Sequence, residues 1–214
     1  ALTLGANAKL VASGNAAVIT TNGTVNSDGT ARSLNISASG AGSSVLLSKA
    51  VGNTAALSSL NVTGSAIALN GGTVNTSGNQ TYAGAVTLGA GTTLTASTVT
   101  TTSGSTVAGA GNSLNVTGNV SLGGDVSGVS LLGVSGTTKL AGNVSSTGNQ
   151  TYAGAMTLGA NAKLAATAQA LALPDHAKRT VTTPGFSAGA SSSTLSKRAK
   201  TRWENPSSYP SGIG

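Results

Sequence analysis

The side chains able to do acid–base, metal or nucleophilic chemistry in this chain are few and scattered. Across 214 residues there are four acidic side chains, one histidine and no cysteine. A hydrolase or lyase needs clustered carboxylates, often with a basic residue or calcium beside them. Asp28 and Asp125 fall in different repeats, each in a glycine-containing stretch, and read as turn residues. Arg32 reads as an exposed ion-pair partner of Asp28. Gly123-Gly124-Asp125 lacks the spacing of a calcium-binding GGxGxD nonapeptide. His176 has no second histidine and no cysteine with which to hold a metal. Asp175-His176 among many serines is not a triad, which is recognised by geometry. Without cysteine there is no disulfide, zinc–thiolate site or thiol nucleophile. The expectation is a protein that is not an enzyme, with no catalytic, cofactor-binding or metal-binding residues and no cofactor.

Other patterns point to surfaces. Asn22, Asn35, Asn61, Asn75, Asn79, Asn115, Asn119, Asn143 and Asn149 each open an Asn-X-Ser/Thr sequence. In a chain this rich in Asn, Ser and Thr, composition accounts for most of them, although such sites can be glycosylated. The alternation Thr98, Thr100, Thr102 resembles a flat ice-binding row, but the other repeats do not carry it in register. The run Lys197-Arg198-Ala199-Lys200-Thr201-Arg202-Trp203 has the charge for phosphates and a ring for a base. It reads as a solvated basic run, and no nucleic-acid partner is expected.

The elements that would position any of these residues are set by repetition. Residues 78–90 read GNQTYAGAVTLGA and residues 148–160 read GNQTYAGAMTLGA, identical at twelve of thirteen positions. Residues 1–10, ALTLGANAKL, match residues 155–164, AMTLGANAKL, at nine of ten. SLNVTG occurs at 59–64 and 113–118, with a degenerate SLNIS at 33–37. Repetition on this scale denotes an array whose units stack, not a globule around one centre. The chain opens inside a repeat, which reads as a fragment or processed piece.

Composition agrees with that view. Charged residues make up 7% of the chain and aromatics 2%, against about 25% charged in an average protein. A disordered chain pairs low hydrophobicity with high net charge; here charge is scarce and Val, Leu and Ile recur. A break falls near Leu164. All four prolines, the only Phe, Trp and His, and six of eleven basic residues lie beyond it. Residues 1–165 therefore read as the folded repeat body, and residues 166–214 as a basic, proline-containing tail, disordered or out of frame. No stretch of about 18 apolar residues is present, so no membrane-spanning helix is expected.

Within the body, apolar residues come in pairs two apart: Leu2/Leu4, Leu34/Ile36, Leu60/Val62, Ile67/Leu69, Val86/Leu88, Leu114/Val116, Val120/Leu122 and Met156/Leu158. Spacing of two puts both side chains on one face of a strand. Gly, Asn and Ser clusters between the pairs supply turns. Only residues 165–173 carry a faint helical pattern. These signals predict an all-β fold, a right-handed parallel β-helix, over a β-sandwich, whose core would need more aromatic residues. With coils of roughly 20–25 residues, about seven coils would make a rod about 35 Å long. The repeat copies, 84 and 70 residues apart, would then be separated by three to four coils, the 14-residue difference being an insertion or deletion. Asn35, Asn61 and Asn115 share a place in their motifs and predict an asparagine ladder at a turn.

The motifs TGNQTYAGAMTLGA, SLNVTGNVSLGGDVSG and VSGTTKLAGNVSSTGNQTYAG resemble the β-strand repeats of bacterial filamentous haemagglutinin-type adhesins and autotransporter passenger proteins. The resemblance covers residues 1–164. It implies a β-helical stalk exported across the Gram-negative outer membrane, then displayed at the cell surface or secreted. The expected partners are host glycans or host surface proteins, with no membrane insertion by this segment and with end-to-end self-association at uncapped coil edges. A β-helix enzyme acting on polysaccharides is the alternative, one that would require a carboxylate cluster across adjacent coils.

Overall fold

The computed structural model describes residues 1–159, 161–167 and 171–172. The tail reading, and with it Asp175, His176 and the basic run at 197–203, lies outside the described residues. Among the described residues there are 20 strands and no helix, and every paired strand is parallel to its partner. The chain is a parallel β-helix. The faintly helical stretch is not helical where it is described: Leu164–Ala166 and Leu171–Ala172 are strands that pair with Val144–Ser146 and with Gln150–Thr151.

The solenoid has three faces, and each face is a column of stacked residues. On face 1 the column runs Leu2, Val25, Val51, Val74, Leu94, Val116, Val134, Tyr152. On face 2 it runs Ala8, Leu34, Leu60, Gln80, Val99, Val120, Thr138, Met156. On face 3 it runs Ile19, Val45, Ile67, Val86, Val107, Val126, Val144, Leu164. Eight members per column make eight coils, one more than a 20–25-residue coil predicts. Successive members on face 2 lie 26, 26, 20, 19, 21, 18 and 18 residues apart, so later coils are shorter than expected. At about 4.8 Å per coil, the rod is about 35–40 Å long.

The 18-residue coil has a simple origin. Leu114, Val120, Val126, Leu132, Thr138, Val144, Gln150 and Met156 follow each other at intervals of six, and all are buried. A second inward residue lies two positions on in most units, as at Val116, Leu122, Val134 and Leu140. Each face is thus one hexapeptide: three or four residues of strand with two inward side chains, then a corner. A glycine sits at the corner in most units. At Gly136 and Gly154 it is required, because a β-carbon would lie within 2.6 Å of the carbonyl carbon of the glycine one coil back, Gly118 and Gly136 respectively.

This unit explains the repeats. The shared segment [L/V/M]TLGA begins on face 1 at Leu2, on face 3 at Val86 and on face 2 at Met156. Each copy therefore lies three and two-thirds turns after the last, within the expected three to four coils. The 14-residue difference arises because the three coils after Leu2 are longer than the three after Val86. The interior is largely apolar, from Leu4 and Val25 to Leu164, with polar side chains such as Gln80, Thr92, Thr138 and Gln150 buried among the aliphatic ones. A small apolar gap, lined by Val99, Val107, Val116 and Val120 among others, lies within it.

Candidate functional site

The two carboxylates of the body are not brought together. Asp28 follows the face 1 strand Val25–Ser27, and Asp125 precedes the face 3 strand Val126–Val129, four coils further along. Asp28 accepts from Arg32 Nε at 3.1 Å and Nη2 at 3.0 Å, and from the Thr30 backbone at 3.2 Å. The Arg32 hydrogen bond holds the Asp28 carboxyl below the usual range, and Asp28 in turn raises the guanidinium. Both side chains are solvent-accessible, so this pair shapes a turn and contributes little to stability. Asp125 Oδ1 accepts from the Asn143 backbone N–H at 2.7 Å. Among the described residues no group of three or more His, Cys, Asp or Glu side chains gathers.

Asp125 belongs to a corner ladder, though not the one expected. Asn35 and Asn61 do stack, but they point outward from the middle of face 2 strands, while Asn115 lies on face 1 beside Thr93 and Gly133. The residues that bridge coils at corners are others. Asn7 accepts from Ser33 N–H at 2.9 Å, Asn119 from Thr137 N–H at 2.9 Å, and Asn143 from Lys163 N–H at 3.0 Å. Each immediately precedes the first inward residue of a face, such as Val120 or Val144. The pair Gly-Asn or Gly-Asp before a buried residue, as in Gly118-Asn119-Val120, was the available signal for Asn119, Asp125 and Asn143, whereas Asn7 follows Ala6.

The same geometry sorts the Asn-X-Ser/Thr sequences. The oxygens of Asn119 and Asn143 are taken by the ladder, and Asn75 Nδ2 donates to the Gly52 carbonyl at 3.2 Å. Asn22, Asn35, Asn61, Asn79, Asn115 and Asn149 are exposed. Thr98 and Thr100 face outward on face 2, Thr100 between Thr81 and Ser121, and Thr102 lies past the strand end.

Face 1 carries the more regular outward array. Thr73 and Asn75 lie beside Thr93 and Thr95. Those lie beside Asn115 and Thr117, with Gly133 next to Asn115. The ranks are about 4.8 Å apart along the rod, and partners within a rank are about 6.6 Å apart. No charged side chain falls within these ranks. They offer hydroxyl and amide groups that both donate and accept, suited to a neutral polar partner. Sequence reasoning missed this array because its members come from strands with no shared motif.

Two buried polar clusters were also missed. Gln80 and Gln150 are fully buried in the apolar columns. Gln80 Nε2 donates to the Thr95 carbonyl at 2.9 Å and the Val74 carbonyl at 3.1 Å, and the Tyr82 hydroxyl donates to Gln80 Oε1 at 3.0 Å. Gln150 Nε2 donates to the Ala165 carbonyl at 2.7 Å and Ser146 Oγ at 3.0 Å, and the Tyr152 hydroxyl donates to Gln150 Oε1 at 3.0 Å. In each case the glutamine ties a tyrosine to the backbone carbonyl of a neighbouring strand. Burial raises both tyrosine pKa values well above the usual phenol range. The clusters are satisfied and closed to solvent, and their chemistry is structural. Compared with protein-family models, curated proteins and solved structures, the chain matches none.

Proposed function

We propose that this chain is a non-enzymatic structural and adhesive segment of a large bacterial exoprotein, secreted or displayed at a Gram-negative surface. It acts as a stiff stalk whose faces make many weak contacts with host glycans or surface proteins. The observation that supports this most is the eight-coil stack, which carries charge-free ranks of Thr and Asn on face 1 over three successive coils. Ladder hydrogen bonds between coils stiffen the rod, and short side chains on it are already ordered. Each contact with a neutral hydroxyl-rich partner is weak, and affinity grows when many rods share one surface. The resemblance of the repeats to filamentous adhesins points the same way.

The test is binding of clustered chains to a panel of neutral and acidic host glycans and to host-cell surfaces. The reading expects binding that is lost at least tenfold in a Thr93→Glu/Thr95→Glu variant, which places charge within the face 1 ranks. Binding unchanged by that variant excludes face 1. No binding by clustered chains excludes adhesion and leaves a spacer role. One observation favours the spacer: both described tyrosines are buried, so their rings cannot stack on a sugar.

A further inference from the structure

We propose that the middle of the rod holds a closed binding site for one small apolar guest, of the class of a monatomic or diatomic gas. The site is the gap in the core around Val99, Val107, Val116 and Val120. It is independent of the adhesive reading, because it lies inside the solenoid and not on its faces.

The gap follows from the residues of the fifth coil, which contributes Leu94, Val99 and Val107 to the three columns. Inward side chains close the core only where their volumes match the space between the three sheets. The second inward residue of face 2 is Val62, then Tyr82, Thr101, Leu122 and Leu140 in successive coils. Thr101 is thus a short side chain between two long ones. On face 3, Val86 and Leu88 of the fourth coil are followed in register by Val107 and Gly109. No side chain at position 109 can refill that place, since a β-carbon there would lie 2.5 Å from the Val129 α-carbon. Val99 stands in the column where the second and third coils carry Leu34 and Leu60. The fifth coil is therefore underfilled. The space left is bounded by Tyr82 and Leu88 on one side and by Val120 and Leu122 on the other.

The wall of this space selects the guest. Every residue that lines it is buried, none more than 5% exposed. Two of them carry hydroxyls, and both are engaged. Tyr82 donates to Gln80 Oε1 at 3.0 Å, and Thr101 Oγ1 accepts from the Gly123 N–H at 2.9 Å. The unpartnered buried hydroxyls among the described residues, Thr21 and Thr138, do not line it. A buried water needs polar partners, and an apolar cavity that cannot supply them stays dry. About 20 Å³ of the gap is open to the centre of a water-sized sphere. One such sphere takes roughly 10–15 Å³, and an apolar cavity of roughly 150 Å³ takes benzene. The gap therefore fits about one or two heavy atoms and excludes an aromatic ring. Left empty, it deprives its lining of dispersion partners, and a polarisable apolar guest restores them. A charged or hydrogen-bonding guest would be desolvated there without compensation. Entry needs only local separation of neighbouring coils, since stacked repeats are held by their neighbours alone.

Xenon is the test guest. The full chain, with isotope-labelled valine and leucine methyl groups, is titrated with xenon under pressure and followed by NMR. Methyl signals of Val99, Val107, Val116 and Val120 should shift and saturate together. Those of Val25 and Leu34, three coils away, should show no saturable shift. The thermal midpoint should rise with xenon pressure, because a guest that binds only the folded state stabilises it by mass action. Val107→Ile, which adds a methylene to the wall, should weaken the saturable response several-fold, and Val99→Ala, which enlarges the gap, should strengthen it. Circular dichroism checks that each variant folds. The proposal is overturned, without recourse to any variant, if the lining methyls of the natural chain show no saturable shift or if Val25 and Leu34 respond equally. A nuclear Overhauser contact from the lining methyls to a long-lived water overturns it as well, since the gap would then be wet. So does a folded Val107→Ile chain that responds as the natural one does, because the guest would then sit elsewhere.

Discussion

At Gln150 a polar side chain occupies a column that also holds Thr92, Leu114 and Leu132. Its cost is removed by three hydrogen bonds, to Ser146, Ala165 and Tyr152. Tyr152→Phe keeps the ring but leaves Gln150 Oε1 without its donor, so about 1–2 kcal/mol of stability should be lost, read as a lower thermal midpoint. Thr138 is the opposite case, since its buried hydroxyl has no partner among the described residues. Thr138→Val should raise stability by about 1 kcal/mol, a shift of roughly 2–4 °C in a domain of this size. The two buried tyrosines, Tyr82 and Tyr152, also set an alkaline limit. Their folded pKa values are raised by burial above an unfolded value near 10. The stabilisation from keeping them neutral is therefore complete below about pH 10 and is lost as pH rises beyond it. In a Tyr209→Phe background, tyrosinate absorbance from Tyr82 and Tyr152 should appear together with loss of β-structure, and later than in the denatured chain.

Strands and corners divide the work unequally. Inward pairs such as Leu34/Ile36 and Val120/Leu122 were legible in the sequence because a two-residue period has one physical meaning. The corners were not, because an asparagine beside a glycine is compatible with several turns, and only the stacked coil identifies its acceptor role. Asn35 and Asn119 illustrate the difference: both are exposed asparagines before Ile or Val, yet only Asn119 caps the N–H of Thr137. Asn119→Ala should cost about 1 kcal/mol, while Asn35→Ala should fall within about 0.5 kcal/mol of neutral, both measured by denaturant unfolding. The glutamine clusters were hidden for another reason. Residue type alone marks Gln as a surface residue, and only its parity with Tyr152 and Met156 marks position 150 as inward. Gly154→Ala, with no room for a methyl beside the preceding coil, should cost at least about 2 kcal/mol and loosen amide protection in both coils.

For the molecule as a whole, the quantity that matters is the hexapeptide. A repeat copied onto all three faces implies that the faces accept one another's sequences. Removing residues 138–143 should therefore leave a folded rod in which every later segment moves one face around. Removing three residues should expose the inward side chains of the coils that follow. Circular dichroism and trypsin resistance at Lys49 distinguish the two outcomes from general collapse. Coil-by-coil stacking also means that stability is local, each coil supported by its neighbours alone. For heredity this has a direct consequence. Where most folds accept only the gain or loss of an entire structural unit, a gene for this rod can lengthen or shorten by slippage in steps as small as one face. Each such step yields a different reach and a rotated surface on an undamaged core, so variation in length and in the pattern displayed can accumulate together.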